Sequence, residues 1–254
     1  LIRHFCKRTI EGTVIIGGTV TTDSDCSALS KTVGYVFQDF DNQLIQPIVL
    51  DDVAFAPKNH GLEDYEARAM DALESVGLED AADRFIWELS GGQQHLVALA
   101  GVLAMEPEFI IVDEPAAQLD PHNARKTYEQ LREIQRETEV GVIAIEHHTE
   151  FIGDYCDRLV MVADGDVAWA KPVDIGLNRV EELLDADIHP PQVTQIARQL
   201  PNREGTLPNG RYPVTVEQAV NAFPTVAPKG DHPVKPDGRG SDKTLISVSD
   251  VTHG

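Results

Sequence analysis

The sequence predicts an α/β fold built on a largely parallel sheet. Three observations carry that expectation. Short apolar runs alternate with amphipathic or charged helical stretches, the run 109–112 is apolar throughout, and polar residues close three of the runs. Strands that alternate with helices pair in parallel through helical crossovers, and a central parallel strand is covered on both faces. Such sheets bind ligands beyond the carboxyl ends of their strands. Gln38, the pair Asp113-Glu114, and His147 all stand at such ends.

The elements follow in order. Residues 1–8 set Leu1, Ile2 and Phe5 among Arg3, His4, Lys7 and Arg8, as in the last turns of a helix. Residues 12–16 read as a strand closed by the Gly17-Gly18 turn. Residues 33–37 read as a buried strand running into Gln38. Helices are expected over 51–60 and 63–76, the second with Ala67, Met70, Leu73 and Val76 on one stripe and Gly77 as its stop. Ser90-Gly91-Gly92 opens a helix to about 105, with Pro107 beyond it. The run 109–112 is the central strand. Pro121 suits the first turn of a long charged helix to 138. Residues 140–145 form another buried strand, and 149–155 a short helix. Residues 159–162 and 167–169 make a hairpin about Asp164-Gly165. Short helices follow over 180–185 and 192–200, around Pro190-Pro191. The stretch 224–243 is rich in Pro, Gly, Asp and Lys and reads as a linker. Residues 245–251 alternate like a strand.

Composition narrows the function. The 254 residues are 42% hydrophobic and 25% charged, enough apolar content for a real core. Acidic residues outnumber basic ones 42 to 21, for a net charge of -21. That excess disfavours a nucleic-acid binder, which needs a cationic face, and disfavours direct docking on anionic lipid. It fits a solvated acidic coat, as in proteins of a high-salt cytoplasm. No apolar run approaches the ~20 residues needed to cross a bilayer, so a membrane role requires a partner that supplies the span. Cys6, Cys26 and Cys156 are odd in number and unpaired as C-x-x-C, which is neither a disulfide framework nor a zinc site.

Two motifs carry chemistry. In Leu89-Ser90-Gly91-Gly92-Gln93 the glycines let backbone N–H groups approach an anion, and the helix starting there adds its positive end. The Ser90 hydroxyl can donate to a phosphate oxygen. The strand 109–112 delivers Asp113 and Glu114 to its tip. An aspartate there can hold magnesium, and the adjacent glutamate can polarise a water for attack on phosphorus.

Taken together, Leu89 to Gln93 followed by 109–114, Pro115 and Ala117-Gln118-Leu119-Asp120 resemble the signature, Walker B and D-loop of ATP-binding-cassette (ABC) ATPases. Val36-Phe37-Gln38 resembles the Q-loop, and Ile145-Glu146-His147 the switch histidine. Asp41-Asn42-Gln43, the stretch 51–57 and the stretch 100–107 resemble the energy-coupling-factor branch of importer ATPases, which serves cobalt, nickel or vitamin uptake. The cassette resemblance covers roughly residues 1–170.

The resemblance implies a P-loop NTPase-like sheet with an inserted helical subdomain. Residues 1–38 and 104–175 would be a RecA-like core, 39–103 the helical subdomain with the signature, 176–223 a C-terminal helical extension, 224–243 a linker, and 244–254 the start of a second cassette. ATP and Mg2+ are the implied ligands. Glu114 would be the general base, with Asp113 in the outer shell of magnesium. Gln38 would reach the metal or the attacking water. His147, rather than its neighbour His148, would contact the γ-phosphate. Ser90, Gly91, Gly92 and Gln93 would contact ATP held by the opposite cassette, and Asp120 would act across that dimer. The implied partners are transmembrane transporter subunits and a second cassette, fused or separate, with no nucleic acid. The implied location is peripheral, on the cytoplasmic face of the membrane.

Three departures from the family pattern stand out. No G-x-x-x-x-G-K-[ST] loop is present. Leu1-Ile2-Arg3 resembles what directly follows that loop, so the resemblance implies a cassette lacking its first strands, its adenine-stacking aromatic and its P-loop lysine, and inactive by itself. Gln94-His95-Leu96 replaces a stretch that usually carries an arginine, and Ala117-Gln118 is unusual in a D-loop. Two other classes compete. A soluble cassette protein of the ribosome or of DNA repair would need a basic arm or a long coiled coil, and the acidic chain and the short 39–88 stretch offer neither. A non-catalytic regulatory cassette would have no need of both Glu114 and His147.

Overall fold

A computed structural model describes residues 12–115, 119, 121–201 and 205–223. The expected helix end at 1–8, Cys6, Ala117-Gln118, Asp120, the linker 224–243 and the strand 245–251 lie outside the described residues. The first elements are β1 (Ile15–Ile16) and β2 (Thr19–Val20), paired antiparallel with Ile15 opposite Val20. Gly17 and Gly18 turn between them at φ 54° and 77°, a region that favours glycine. A short helix, α1 (Cys26–Leu29), follows. Its cap is the Asp25 side chain, which accepts the Ala28 N–H.

Three strands then make the parallel sheet that the sequence predicts: β3 (Val33–Val36), β4 (Phe109–Asp113) and β5 (Gly141–Ile145), in the order β3-β4-β5. Val36 pairs with Val112, Val112 with Ala144, and Asp113 with Ile145. This register brings the ends of all three strands to one edge. The central strand β4 has Ile110 and Val112 fully buried, but Phe109 is exposed on the other face, so its two faces are not equally covered. For β5 the expectation of burial is corrected. Ile143 and Ile145 are 52% and 48% exposed, because among the described residues little covers the sheet face they share with the exposed Phe109.

The crossover from β3 to β4 is helical: α2 (Val49–Val53), α3 (Phe55–Asn59), α4 (Tyr65–Ser75) and α5 (Gly91–Leu103). The single helix expected over 51–60 is two helices meeting at Ala54. Pro57 has no N–H to return to the Val53 carbonyl, so the ladder breaks there. The buried stripe of α4 also differs from expectation. It runs through Ala69, Ala72, Leu73 and Val76, while Ala67 and Met70 are exposed. A strict three-residue spacing drifts around a 3.6-residue helix, whereas i, i+3, i+4, i+7 stays on one face. Leu73, Val97 and Leu99 pack with Val49 and Val53, and the same core continues to Val36, Ile110 and Val112 under the sheet. Each such side chain contributes about 1.5–3 kcal/mol by burial.

Helix α6 (Pro121–Thr138) buries Ala124, Thr127, Tyr128, Leu131 and Ile134 and turns its charges outward. After α7 (Thr149–Tyr155), strands β6 (Arg158–Ala163) and β7 (Asp166–Pro172) form the expected hairpin. Its turn residues Asp164 and Gly165 both have positive φ, 52° and 86°, which matches the twist of paired strands. Four short helices close the described chain: α8 (Val173–Gly176), α9 (Val180–Asp185), α10 (Gln192–Gln199) and α11 (Val216–Ala222). The segment of α8 and α9 rests on a smaller cluster that includes Ile152, Met161, Leu177, Leu183 and Val214. Helices α1, α8 and α11, each seven residues or shorter, carry too little periodicity to be expected from the sequence. Among the described residues no helix is long and apolar enough to cross a membrane.

Candidate functional site

The strand ends gather the polar residues singled out by the sequence. Gln38, two residues past β3, donates from Nε2 to Glu114 Oε2 at 2.6 Å. Glu114, just past β4, has its other oxygen 3.7 Å from His147 Nδ1, which lies two residues past β5. Three elements far apart in the chain thus put an amide, a carboxylate and an imidazole at one place. Donation through Nε2 leaves the Gln38 carbonyl oxygen with no hydrogen bond of its own among the described residues.

Glu114 sits at φ 45°, the left-handed region that a non-glycine residue enters at a cost of roughly 1–2 kcal/mol. Its own N–H donates to the Ile145 carbonyl at 2.9 Å, which ties the strained residue to β5. Strain of this kind collects where a side chain must be aimed. Asp113, the last residue of β4, accepts a 2.6 Å hydrogen bond from the Tyr35 hydroxyl. Burial, together with the Asp113 hydrogen bond and charge, pushes the Tyr35 hydroxyl up to about 12. Tyr35 therefore stays protonated and donates, and Asp113 keeps its second oxygen for another partner.

The glycine motif opens α5 as predicted. Ser90 Oγ accepts the Gln93 N–H at 3.3 Å, and Gln93 Oε1 accepts the Ser90 N–H at 3.0 Å, a reciprocal capping box. A Cβ at Gly92 would meet nothing within 4 Å, and one at Gly91 only Phe40 Cζ at 3.9 Å. Neither glycine is required by packing or by a positive φ. The open space above them fits a ligand that approaches the helix N-terminus closely. Among the described residues no hydrogen bond joins Ser90 or Gln93 to Glu114 or His147. The link between the two groups is Gln43, which accepts the Phe37 N–H at 3.0 Å and donates to the Ala98 carbonyl of α5 at 3.2 Å. Asp120 lies outside the described residues.

Sequence reasoning passed over three members of this region: Tyr35, Tyr128 and Glu146. Glu146 is a buried carboxylate between Ile145 and His147, and it takes hydrogen bonds from Tyr128 and from the backbone and ring that follow it. The available signal was an acidic residue at the end of an apolar strand, the same signal that marked Asp113 and Glu114.

The donor chemistry at the strand ends suits a hard divalent cation. Asp113, Glu114 and the Gln38 carbonyl offer oxygens at one edge, the donor type magnesium prefers. The nitrogen-bearing group of Glu146, His147 and His148, whose candidate ligand atoms lie within 4.8 Å of one another, offers the wrong donors for that ion.

Comparison with known proteins adds the following. The ABC transporter family model matches residues 1–117. The energy-coupling factor transporter ATP-binding protein EcfA of Methanosphaera stadtmanae is 36% identical over 200 residues, 78% of this chain and 72% of that protein. A relative from Methanosarcina mazei is 38% identical over 194 residues, 75% of this chain. The chain spans 33% of the length of that protein and 33% of its Methanosarcina acetivorans counterpart. Among solved structures, cbiO1 from Clostridium perfringens, described as part of the ABC transporter complex cbiONQ, is similar at a TM-score of 0.57 and 33% identity. That likeness covers 66% of this chain and 67% of the other.

Proposed function

The chain belongs to the ABC transporter ATP-binding family, and on that premise we infer that it is the ATP-hydrolysing cassette of an energy-coupling-factor importer. It would drive uptake of a metal ion or vitamin across a membrane. One observation carries the reading: Gln38, Glu114 and His147 meet at the ends of β3, β4 and β5, with Glu114 2.6 Å from Gln38 and 3.7 Å from His147.

Each side chain has a role it can perform where it stands. Glu114, aimed by its φ, accepts the proton of the attacking water. Gln38 holds that carboxylate by one hydrogen bond and orients the water beside it. His147, more than half exposed, reaches out to the γ-phosphate. Magnesium, when bound between Asp113 and the nucleotide, would neutralise charge on the phosphates. Tyr35 keeps the Asp113 carboxylate turned and hydrogen-bonded. Ser90 and the N–H groups at Gly91, Gly92 and Gln93 meet an ATP carried by a facing cassette, with Asp120 acting across the same interface. Their separation from Glu114 within this chain agrees with a site shared between two cassettes.

The partners proposed are a second cassette and transmembrane subunits, which place the protein at the cytoplasmic face of the membrane. The description of cbiO1 as part of a larger transporter complex supports that assignment. The test is the Glu114→Gln variant of the complete protein, purified with its membrane subunits. It should still bind ATP, with turnover reduced at least ~10²-fold, as expected for loss of a general base. Turnover at the parent rate would remove Glu114 from the mechanism.

A further inference from the structure

Past β5 the chain makes a second arrangement that the proposed chemistry does not use. The Glu146 side chain is 1% exposed. Its Oε1 accepts the backbone N–H of His147 at 2.8 Å and that of His148 at 2.9 Å. The same oxygen lies 2.7 Å from His148 Nδ1. An ionised carboxylate only accepts, so the proton of that contact belongs to the imidazole. Oε2 accepts the Tyr128 hydroxyl at 2.6 Å. Tyr128 comes from the buried face of α6, its ring stacked on Phe151 at 4.9 Å and on Tyr155 at 5.3 Å. Two stacked neighbours and burial hold the ring, so the hydroxyl is a fixed anchor.

The His147 ring has the opposite character. It is 59% exposed, 3.7 Å from both Glu114 and Glu146, and its one described ring contact is a tilted one with His148 at 4.1 Å. Little holds this ring from the sides, so its position follows from its backbone. The groups that hold that backbone are the two N–H bonds to Glu146.

We propose that Glu146, anchored by Tyr128, is a positioning residue for ATP hydrolysis: it fixes the loop after β5 and so fixes where the His147 imidazole meets the phosphate. The electrostatics agree. Burial drives the Glu146 carboxyl up, but the bonds from Tyr128, from the His148 backbone and ring and from the His147 backbone outweigh it, so the group stays ionised. Burial and the Glu146 hydrogen bond and charge push the Tyr128 hydroxyl far up, so it remains a donor. A metal ion is the competing use of Glu146, His147 and His148. Both Glu146 oxygens already take four donors between them, and a cation would have to displace them.

The inference rests on the proposed contact of His147 with the γ-phosphate, and a mutant cycle separates the two. Steady-state ATP turnover is measured on the complete protein with its membrane subunits. The variants are Glu146→Gln, Tyr128→Phe, His147→Ala, and the first two each combined with His147→Ala. Glu146→Gln should lower kcat about tenfold and Tyr128→Phe about threefold to tenfold, with the KM for ATP within about threefold of the parent, the split expected when an interaction acts in the transition state. In the His147→Ala background neither should cost anything more, because the residue they position is gone. A further tenfold loss in that background would mean that Glu146 acts on its own or only supports the fold, and would overturn the proposal. Tyr128→Phe keeps the ring and its two stacking contacts, so it carries the test if Glu146→Gln folds poorly, and an unchanged kcat there also overturns it. Parent-like turnover of His147→Ala would instead refute the phosphate contact itself.

Discussion

His95 offers a prediction whose size can be worked from the structure. It lies in α5, five residues past Ser90, buried, with its ring 5.6 Å from the Phe40 ring and Nδ1 without a hydrogen-bond partner. Burial pushes its imidazole down from 6.5 to about 4. The folded protein therefore keeps His95 neutral at a pH where the unfolded chain protonates it. Stability from this group is complete above 6.5 and is lost as pH falls from there towards 4. At about 1.4 kcal/mol per pKa unit, the full loss is roughly 3 kcal/mol, of which about 2 kcal/mol has gone by pH 5. The perturbation is His95→Phe, which keeps a flat ring against Phe40 and cannot titrate. Urea unfolding at pH 7.5 and pH 5, followed by tryptophan fluorescence, gives the stability of each protein. The parent should lose about 2 kcal/mol more than the variant between the two pH values. At pH 7.5 the variant should be as stable as the parent or more so, since a buried unpaired nitrogen has been removed. Equal losses on acidification in both proteins would refute the assignment of a neutral, buried His95 between the Phe40 segment and the signature helix.

Two glycines should separate packing from chemistry. Gly92→Ala places a methyl where nothing lies within 4 Å. The thermal midpoint should hold or rise, since alanine favours a helix by up to ~1 kcal/mol, while ATP turnover of the complete protein falls at least tenfold. Gly34→Ala is the reverse case. Its Cβ would overlap Val102 Cγ1, on a branched side chain with little freedom to turn away. Unfolding should cost about 2 kcal/mol less than in the parent, and Val102→Ala should recover most of the difference. Intact urea stability in Gly34→Ala would refute the close packing of α5 on β3.

The sheet and its ligand edge were legible because their signals are local and strong. The apolar runs at 33–37, 109–112 and 140–145 mark three strands, and a polar residue follows each one directly. The span of α6 was readable from Pro121 at its start, and the hairpin from Asp164-Gly165. What escaped is partly local and partly not. The break at Ala54 follows from one missing N–H at Pro57, and the stripe of α4 from the 3.6-residue turn, which a strict three-residue spacing does not follow. Exposure of Ile143 and Ile145 depends on what covers their face of the sheet, which no pattern within 141–145 encodes. The site divides the same way. Gln38, Asp113, Glu114 and His147 could be picked because each ends a strand, whereas Tyr35 and Tyr128 sit inside elements and look like core aromatics until their hydroxyls are seen on Asp113 and Glu146. The left-handed backbone at Glu114 has no sequence signature, since glutamate rarely adopts it.

The central claim is that Gln38, Glu114 and His147 form one catalytic edge on a nucleotide. Its most direct test is the structure of the complete protein carrying Glu114→Gln, trapped with ATP and magnesium. The γ-phosphate should lie within hydrogen-bonding distance of the His147 ring, about 3 Å, with a water held between it and residues 38 and 114, and with Ser90 and Gln93 of the facing cassette on its other side. A nucleotide seated away from the ends of β3, β4 and β5, with those three side chains in solvent, would contradict the account.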